Sequence, residues 1–232
     1  MGRRRLSPIF AAALGAWTVL SGVAPAPAAA QPCPDVEVVF ARGTNEPPGV
    51  GGVGQAFVDA IRAQAAPRTV GVYAVDYPAS DNFFDRIGFA TTVIDGIRDE
   101  IDHVQTMAAN CPDTRLVLGG FSQGAVVTGF ATSAEVPAEV DAAAVPQPMP
   151  PEVADHVAAV VLFGMPSADF LRQFEAPAVI IGPLYAAKTL ELCEPGDSIC
   201  SGVPGGGPNL AHAMYGVNGN VRQGATFAVE RL

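Results

Sequence analysis

Five apolar, branched runs alternate with segments of helical periodicity along this chain, and that alternation constrains its fold more than any other feature. The runs are DVEVVFA (35–41), TVGVYAV (69–75), TRLVLGG (114–120), HVAAVVLFG (156–164) and APAVIIG (176–182). Several are continuous Val, Ile and Leu, the pattern of strands buried on both faces. Between the second and third runs, Val93, Ile94, Ile97, Ile101, Val104 and Met107 recur at three- and four-residue steps. That stripe predicts an amphipathic helix over 90–108. A weaker stripe of Phe57, Val58, Ile61 and Ala65 predicts a second helix over 54–66. Alternating strand and helix implies an α/β chain: a mostly parallel sheet with helices on both faces. The Pro-rich piece VPQPMPPEV (145–153) reads as a surface connection, because the run at 156 resumes the same pattern.

The first thirty residues read differently. MGRRRLSP carries three arginines, IFAAALGAWTVL is apolar, and APAPAAAQ offers small residues in an A-x-A pattern. This predicts a signal peptide over 1–30 with a cut after Ala30, and a secreted single domain over 31–232. The apolar run falls short of the ~20 residues a membrane span needs, and Pro25 and Pro27 break its continuation. Stable membrane insertion of the mature chain is therefore not expected. Losing the three arginines takes the formal net charge from −10 to −13. Such a surface argues against nucleic acid as a partner and serves solubility. Charged residues make up 16% of the chain, against a usual ~25%, so a large core can be buried. A monomer is the expected state.

Four cysteines remain: Cys33, Cys111, Cys193 and Cys200. An even count in an exported chain favours two disulfides, with three pairings open. A local Cys193–Cys200 loop is the simplest choice and leaves Cys33 with Cys111. Chain entropy gives about 2.5 kcal/mol for the short loop and about 4.5 kcal/mol for the long one. No two cysteines have CxxC spacing, so no metal site of that kind is expected.

Gly120-Phe121-Ser122-Gln123-Gly124 fits G-x-S-x-G, preceded by an apolar strand and followed by an Ala-rich helical stretch. That context is what a nucleophile elbow needs: the turn is tight, the serine backbone is strained, and glycine leaves room on either side. A phosphate loop is excluded because no lysine follows the glycines. A serine nucleophile needs a base, and there are three histidines. His103 lies off the apolar stripe of its helix, four residues after Asp99, and reads as a solvated face. His156 opens a strand, at the end away from the carboxyl edge of the sheet. His212 in NLAHAMYG is left as the base. The acid should fall between a late strand and that histidine. Asp197 in CEPGDSIC does so, bracketed by Cys193 and Cys200. The order Ser122, Asp197, His212 is the hydrolase order. One oxyanion donor should be the N–H of Gln123. ARGTNE (41–46) follows the first strand and could hold the second, although a strand-end glycine by itself marks only a turn.

With ARGT, GGFSQGA, CEPGDSIC and HAMYG in this order, and Cys33 and Cys111 at matching places, the chain resembles the cutinases. The resemblance covers nearly all of the mature chain. It implies a compact α/β-hydrolase with about five mostly parallel strands and no large lid. It implies a serine esterase with Ser122 as nucleophile, Asp197 as acid, His212 as base, and Thr44 and Gln123 as oxyanion donors. It also implies the Cys33–Cys111 and Cys193–Cys200 bridges. Fungal members carry serine where this chain has Thr44, which keeps the hydroxyl and adds a methyl.

These residues predict hydrolysis of carboxylic esters with no metal or organic cofactor, and the resemblance implies short- to medium-chain, lipid-like or polyester substrates. Two segments were expected to follow carboxyl ends of strands and line an apolar acyl groove. DYPASDNFF (76–84) contributes Phe83 and Phe84, and GPLYAAKTLEL (182–192) contributes Leu184, Tyr185 and Leu190. Other readings on the same fold are a phospholipase, a thioesterase or an acetylxylan-type esterase. The single Trp, Trp17, lies in the leader, which gives a sugar platform little support. A reading of another class is an exported surface-binding protein with little turnover.

Overall fold

The computed structural model describes residues 32–232, together with Gly2. The predicted signal peptide and its cut after Ala30 otherwise lie outside the described residues. The sheet has five strands: β1 (Val36–Ala41), β2 (Val70–Ala74), β3 (Arg115–Phe121), β4 (Val157–Phe163) and β5 (Thr189–Leu192). Their order is β2-β1-β3-β4-β5, and all four neighbouring pairs are parallel. β1 and β4 are buried along their whole lengths, and β3 is buried except at its ends. This accounts for their continuous apolar sequences.

Alternate residues feed two cores. Val39, Ala41, Leu116, Leu118, Val160 and Leu162 face one side, beneath α2 (Arg86–Asn110) and α3 (Gln123–Ala131). Val38, Phe40, Val117, Val161 and Phe163 face the other, beneath α1 (Gly51–Ala65) and α7 (Asn220–Val229). There Phe40, Phe57 and Phe163 form a ring cluster with centroids 5.3–6.3 Å apart. Three short helices complete the chain: α4 (Ala168–Arg172), α5 (Pro183–Ala186) and α6 (Leu210–Ala213). Cys33–Cys111 ties the entry of β1 to the end of α2, and Cys193–Cys200 closes a loop after β5.

The fifth strand differs from expectation. Residues 176–182 are extended but join no strand. Val179 and Ile181 pack on the core beneath α3 while Ile180 is exposed. Gly182 N–H donates to Thr132 O, and Ser133 Oγ donates to Ile180 O. The branched residues of APAVIIG thus cover the end of α3, and TLEL takes the edge position beside β4.

His103 also departs from its expected solvated position. Its ring stacks on Tyr73 with centroids 3.4 Å apart, and Nε2 lies 2.8 Å from Glu37 Oε2. Glu37 sits in β1 on the α2 side, and a carboxylate placed there needs a partner. His156 precedes β4, with Nδ1 3.1 Å from Pro112 O.

Glu100 is fully buried on α2, against Thr128 of α3. The Thr128 hydroxyl lies 3.0 Å from both Glu100 Oε2 and Gly119 O, yet it carries one proton. A neutral Glu100 resolves the conflict by donating to Thr128, which donates to Gly119 of β3. Desolvation accordingly pushes the Glu100 carboxyl up to about 8 and Asp99 adds to it, against a downward pull that the Thr128 hydroxyl would exert only if it turned to donate to an ionised carboxylate. The folded chain therefore holds this proton over a range where the unfolded chain releases it. That contribution is complete below the ordinary value of 4.5 and is lost as pH rises towards about 8. Glu100→Gln should flatten this decline, and above pH 8 the variant should be the more stable chain by an amount on the order of a few kcal/mol. Urea unfolding from pH 5 to 9 measures it, and parallel pH curves for the two chains would refute it.

Candidate active site

Backbones approach closely at the strand–helix corner at Ser122. A Cβ on Gly124 would lie 2.0 Å from Ala41 O, and one on Gly120 would lie 2.2 Å from Gly124 O. Without side chains there, α3 starts directly against the ends of β1 and β3. Ser122 turns the chain with φ 54° and ψ −117°, a conformation that costs a non-glycine residue on the order of 1–3 kcal/mol. Its N–H donates to Phe163 O at 2.9 Å, fastening the corner to the end of β4.

His212 comes from α6, whose N-cap Asn209 accepts the His212 N–H at 3.0 Å. The Asn209 amide also donates to Gly196 O and Ser198 Oγ, so one side chain ties this helix to the loop holding Asp197. His212 Nε2 lies 2.9 Å from Ser122 Oγ, and Nδ1 lies 2.8 Å from Asp197 Oδ2. Phe121 lies against the imidazole with centroids 5.1 Å apart. Ser122 is 9% exposed, His212 7% and Asp197 0%. Asp197 Oδ1 accepts Ile199 N–H at 2.9 Å, and Oδ2 also accepts the Tyr215 hydroxyl at 2.8 Å. Burial, and next the Asp197 hydrogen bond, hold the Tyr215 phenol above its ordinary range, so it remains a donor.

Thr44 N–H and Gln123 N–H are backbone donors with no protein acceptor among the described residues. Ala41 is the register partner of Gly120, so each donor lies three residues beyond a paired position on adjacent strands. Glu46 shapes the first loop. Its Oε2 accepts Gly43 N–H and its Oε1 accepts Gly52 N–H, both at 2.7 Å. Gly43 N–H is thereby occupied, and Thr44 carries the next free donor. Buried Arg42 anchors the same loop, donating to the carbonyls of Glu46, Val75 and Tyr77. Gln123 Nε2 donates to Ser80 O at 3.1 Å, which holds the loop after β2 beside the corner.

The expected groove residues are not brought together. β5 is Thr189–Leu192, so Leu184 and Tyr185 precede it and lie at the amino edge of the sheet, opposite the corner. There Lys188 Nζ donates to Ala154 O, just ahead of β4. Tyr185 is buried in the core, where desolvation pushes its phenol up to about 12. Leu190 pairs with Val161 midway along the edge strand β5 and packs with the α1 and α7 side. Assigning the strand to 176–182 had put these residues at the wrong edge. Phe83 and Phe84 do follow the carboxyl end of β2. Phe83 packs on Phe89 and Phe174, and Phe84 is fully exposed.

Among the described residues no group of three or more His, Cys, Asp or Glu is placed to hold a metal ion. Cavities of about 590 Å³, beside Leu190 and α7, and about 240 Å³, beside Met165 and Cys193, are not lined by Ser122 or His212.

A parallel sheet whose central strand runs into a strained serine, with a histidine and a buried aspartate delivered from later loops, is the architecture of the α/β-hydrolases. Within that class the chain belongs to the cutinase family, whose sequence pattern matches residues 32–232. It is 58% identical over 170 residues to the probable carboxylesterase Culp7 of Mycobacterium tuberculosis, covering 73% of this chain and 89% of that protein. It is 44% identical over 229 residues to the phospholipase Culp4 of the same organism, covering 99% and 92%. A Trichoderma reesei cutinase in complex with a C11Y4 phosphonate inhibitor superposes with TM-score 0.62 at 35% identity, covering 86% of this chain and 77% of that one. The catalytic core domain of a Trichoderma reesei acetyl xylan esterase gives TM-score 0.69 at 26% identity, covering 87% and 100%. The chain is a carboxylic ester hydrolase of the cutinase-like serine type.

The Gly124 contact yields a test of the corner itself. Gly124→Ala must push α3 off β1, because the obstacle is a carbonyl and not a flexible side chain. A loss of about 3 kcal/mol in urea unfolding is expected, and a variant within 0.5 kcal/mol of wild type would show that the approach is looser than described.

Proposed function

We propose that the chain hydrolyses carboxylic esters through an acyl-enzyme formed on Ser122. The hydrogen-bonded line Ser122–His212–Asp197, at 2.9 and 2.8 Å, carries this reading. With Nδ1–H donating to Asp197, the free lone pair of His212 is on Nε2 and faces the serine hydroxyl. Ser122 Oγ attacks the ester carbonyl while Nε2 takes its proton. Asp197 keeps the tautomer and stabilises the imidazolium. The oxyanion is received by the N–H groups of Thr44 and Gln123. Collapse expels the alcohol with the proton from Nε2, and water repeats the sequence to free the acid.

The proposed substrates are lipid-like esters with short to medium acyl chains. Exposed apolar side chains support this: Phe84 in the loop after β2, Ile87 in the first turn of α2, and Leu210 two residues before the base. A phospholipid is the second reading, favoured by the near full-length similarity to a protein named as a phospholipase. Secretion is proposed from the leader-like N-terminus together with the two disulfides.

Ser122→Ala should lower turnover of p-nitrophenyl butyrate by about 10⁴-fold or more, with an unchanged circular dichroism spectrum and no labelling by a fluorophosphonate. Retained turnover in that variant would end the proposal. Across p-nitrophenyl esters from acetate to laurate, kcat/KM should rise beyond acetate, and Phe84→Ser should weaken the rise. A profile that peaks at acetate would remove the apolar-substrate reading.

A further inference from the structure

Tyr215 is fully buried, yet its hydroxyl does not serve the core. It donates to Asp197 Oδ2 at 2.8 Å, the same oxygen that faces His212 Nδ1. It accepts Glu194 N–H at 2.8 Å and lies 3.4 Å from Cys200 Sγ. Because Glu194 N–H occupies an acceptor position of the phenol oxygen, the single O–H proton is directed at the carboxylate. The ring cannot swing away. It lies edge-on to Phe163 and to His212 and tilted against Phe121, with centroids 5.7–6.3 Å apart. Three points of the 193–200 loop are thus held by a residue three positions after the base.

We propose that Tyr215 is a positioning residue that competes with His212 for the Asp197 carboxylate and so sets how strongly that carboxylate holds the imidazole. This rests on the reading of Ser122, His212 and Asp197 above. A donor on Oδ2 draws charge away from the bond to Nδ1. Removing the hydroxyl leaves Asp197 with Ile199 N–H and His212 alone, and the carboxylate then stabilises the imidazolium more. The base must be neutral to accept the serine proton, so the acid limb of kcat/KM should move to higher pH. The other titratable or charged groups facing this cluster are few. Glu194, whose Oε2 is held by Asn220 Nδ2 at 2.6 Å, lies beside Tyr215. Ser122 faces Nε2 from the start of α3. Phe121 and Phe163, from β3 and β4, bring no charge.

The experiment measures pH–rate profiles of Tyr215→Phe, which keeps the ring, on p-nitrophenyl butyrate. The acid limb should rise by about half a unit to one unit, with KM changed little. A 3-fluorotyrosine introduced at position 215 is a stronger donor and should move the limb the opposite way, and this arm stands even where the phenylalanine variant folds poorly. Fluorophosphonate labelling of each chain separates the two readings. Labelling at Ser122 with an acid limb that moves in neither variant overturns the role of Tyr215 and leaves the nucleophile intact. Wild-type protein that takes no label overturns both.

Discussion

The contact between Gly124 and the Ala41 carbonyl governs the rest of the site. It lets a helix begin within touching distance of the strand beside it, and the chain makes the turn through a serine with positive φ. Two consequences follow from the same approach. The serine hydroxyl is lifted off the sheet towards the later loops. The first amide of the helix, Gln123 N–H, is left without an intrahelical partner, beside the loop that leaves β1 at Arg42. That loop is pinned by Arg42 and Glu46 in such a way that Gly43 N–H is occupied and Thr44 N–H is free. The lifted serine and the free Gln123 N–H thus arise from one steric fact, and the free Thr44 N–H beside them from the pinning of the first loop.

The other half of the site has no such scaffold. Residues 193–219 contain one turn of helix, α6, and little other regular structure. What a sheet would supply by its ladder is supplied here by staples. The Cys193–Cys200 bridge closes the loop, Asn209 ties it to the base, Tyr215 holds its carboxylate, and Asn220 holds Glu194. A fully buried carboxylate is tolerated because three donors reach it, against a desolvation cost of several kcal/mol for an unpartnered charge.

Much of this was legible in the sequence, and the misses have physical causes. β1, β3 and β4 announce themselves because strands covered on both faces are mostly apolar, and the half-buried edge strand β2 still shows Val70, Val72 and Tyr73. β5 does not, since an edge strand with one partner can carry Thr189 and Glu191, while the more apolar 176–182 spends its side chains on α3. That single error moved Leu184 and Tyr185 to the wrong edge of the sheet. The three members of the Ser–His–Asp line stand in local motifs and were readable. Tyr215, Asn209 and Glu46 act through hydrogen bonds whose partners only the fold reveals, although the spacing of Tyr215, three after His212 on a helical turn, could have drawn attention to it. His103 was misread for the same reason: its partner Glu37 is 66 residues away.

The relocation of Leu184, Tyr185 and Leu190 changes what an acyl chain would meet. A groove of side chains from both loops would have been sunk between them and would measure chain length by depth. What remains at the carboxyl edge is a rim. Phe84, Ile87 and Leu210 stand in solvent, and Phe83 is braced from beneath by Phe89 and Phe174. On the proposed function, an apolar substrate would gain by covering side chains that are otherwise wet, at about 25 cal/mol per Å², and not by filling a cavity. Discrimination between neighbouring chain lengths should then be shallow, since each added methylene finds more surface and no wall.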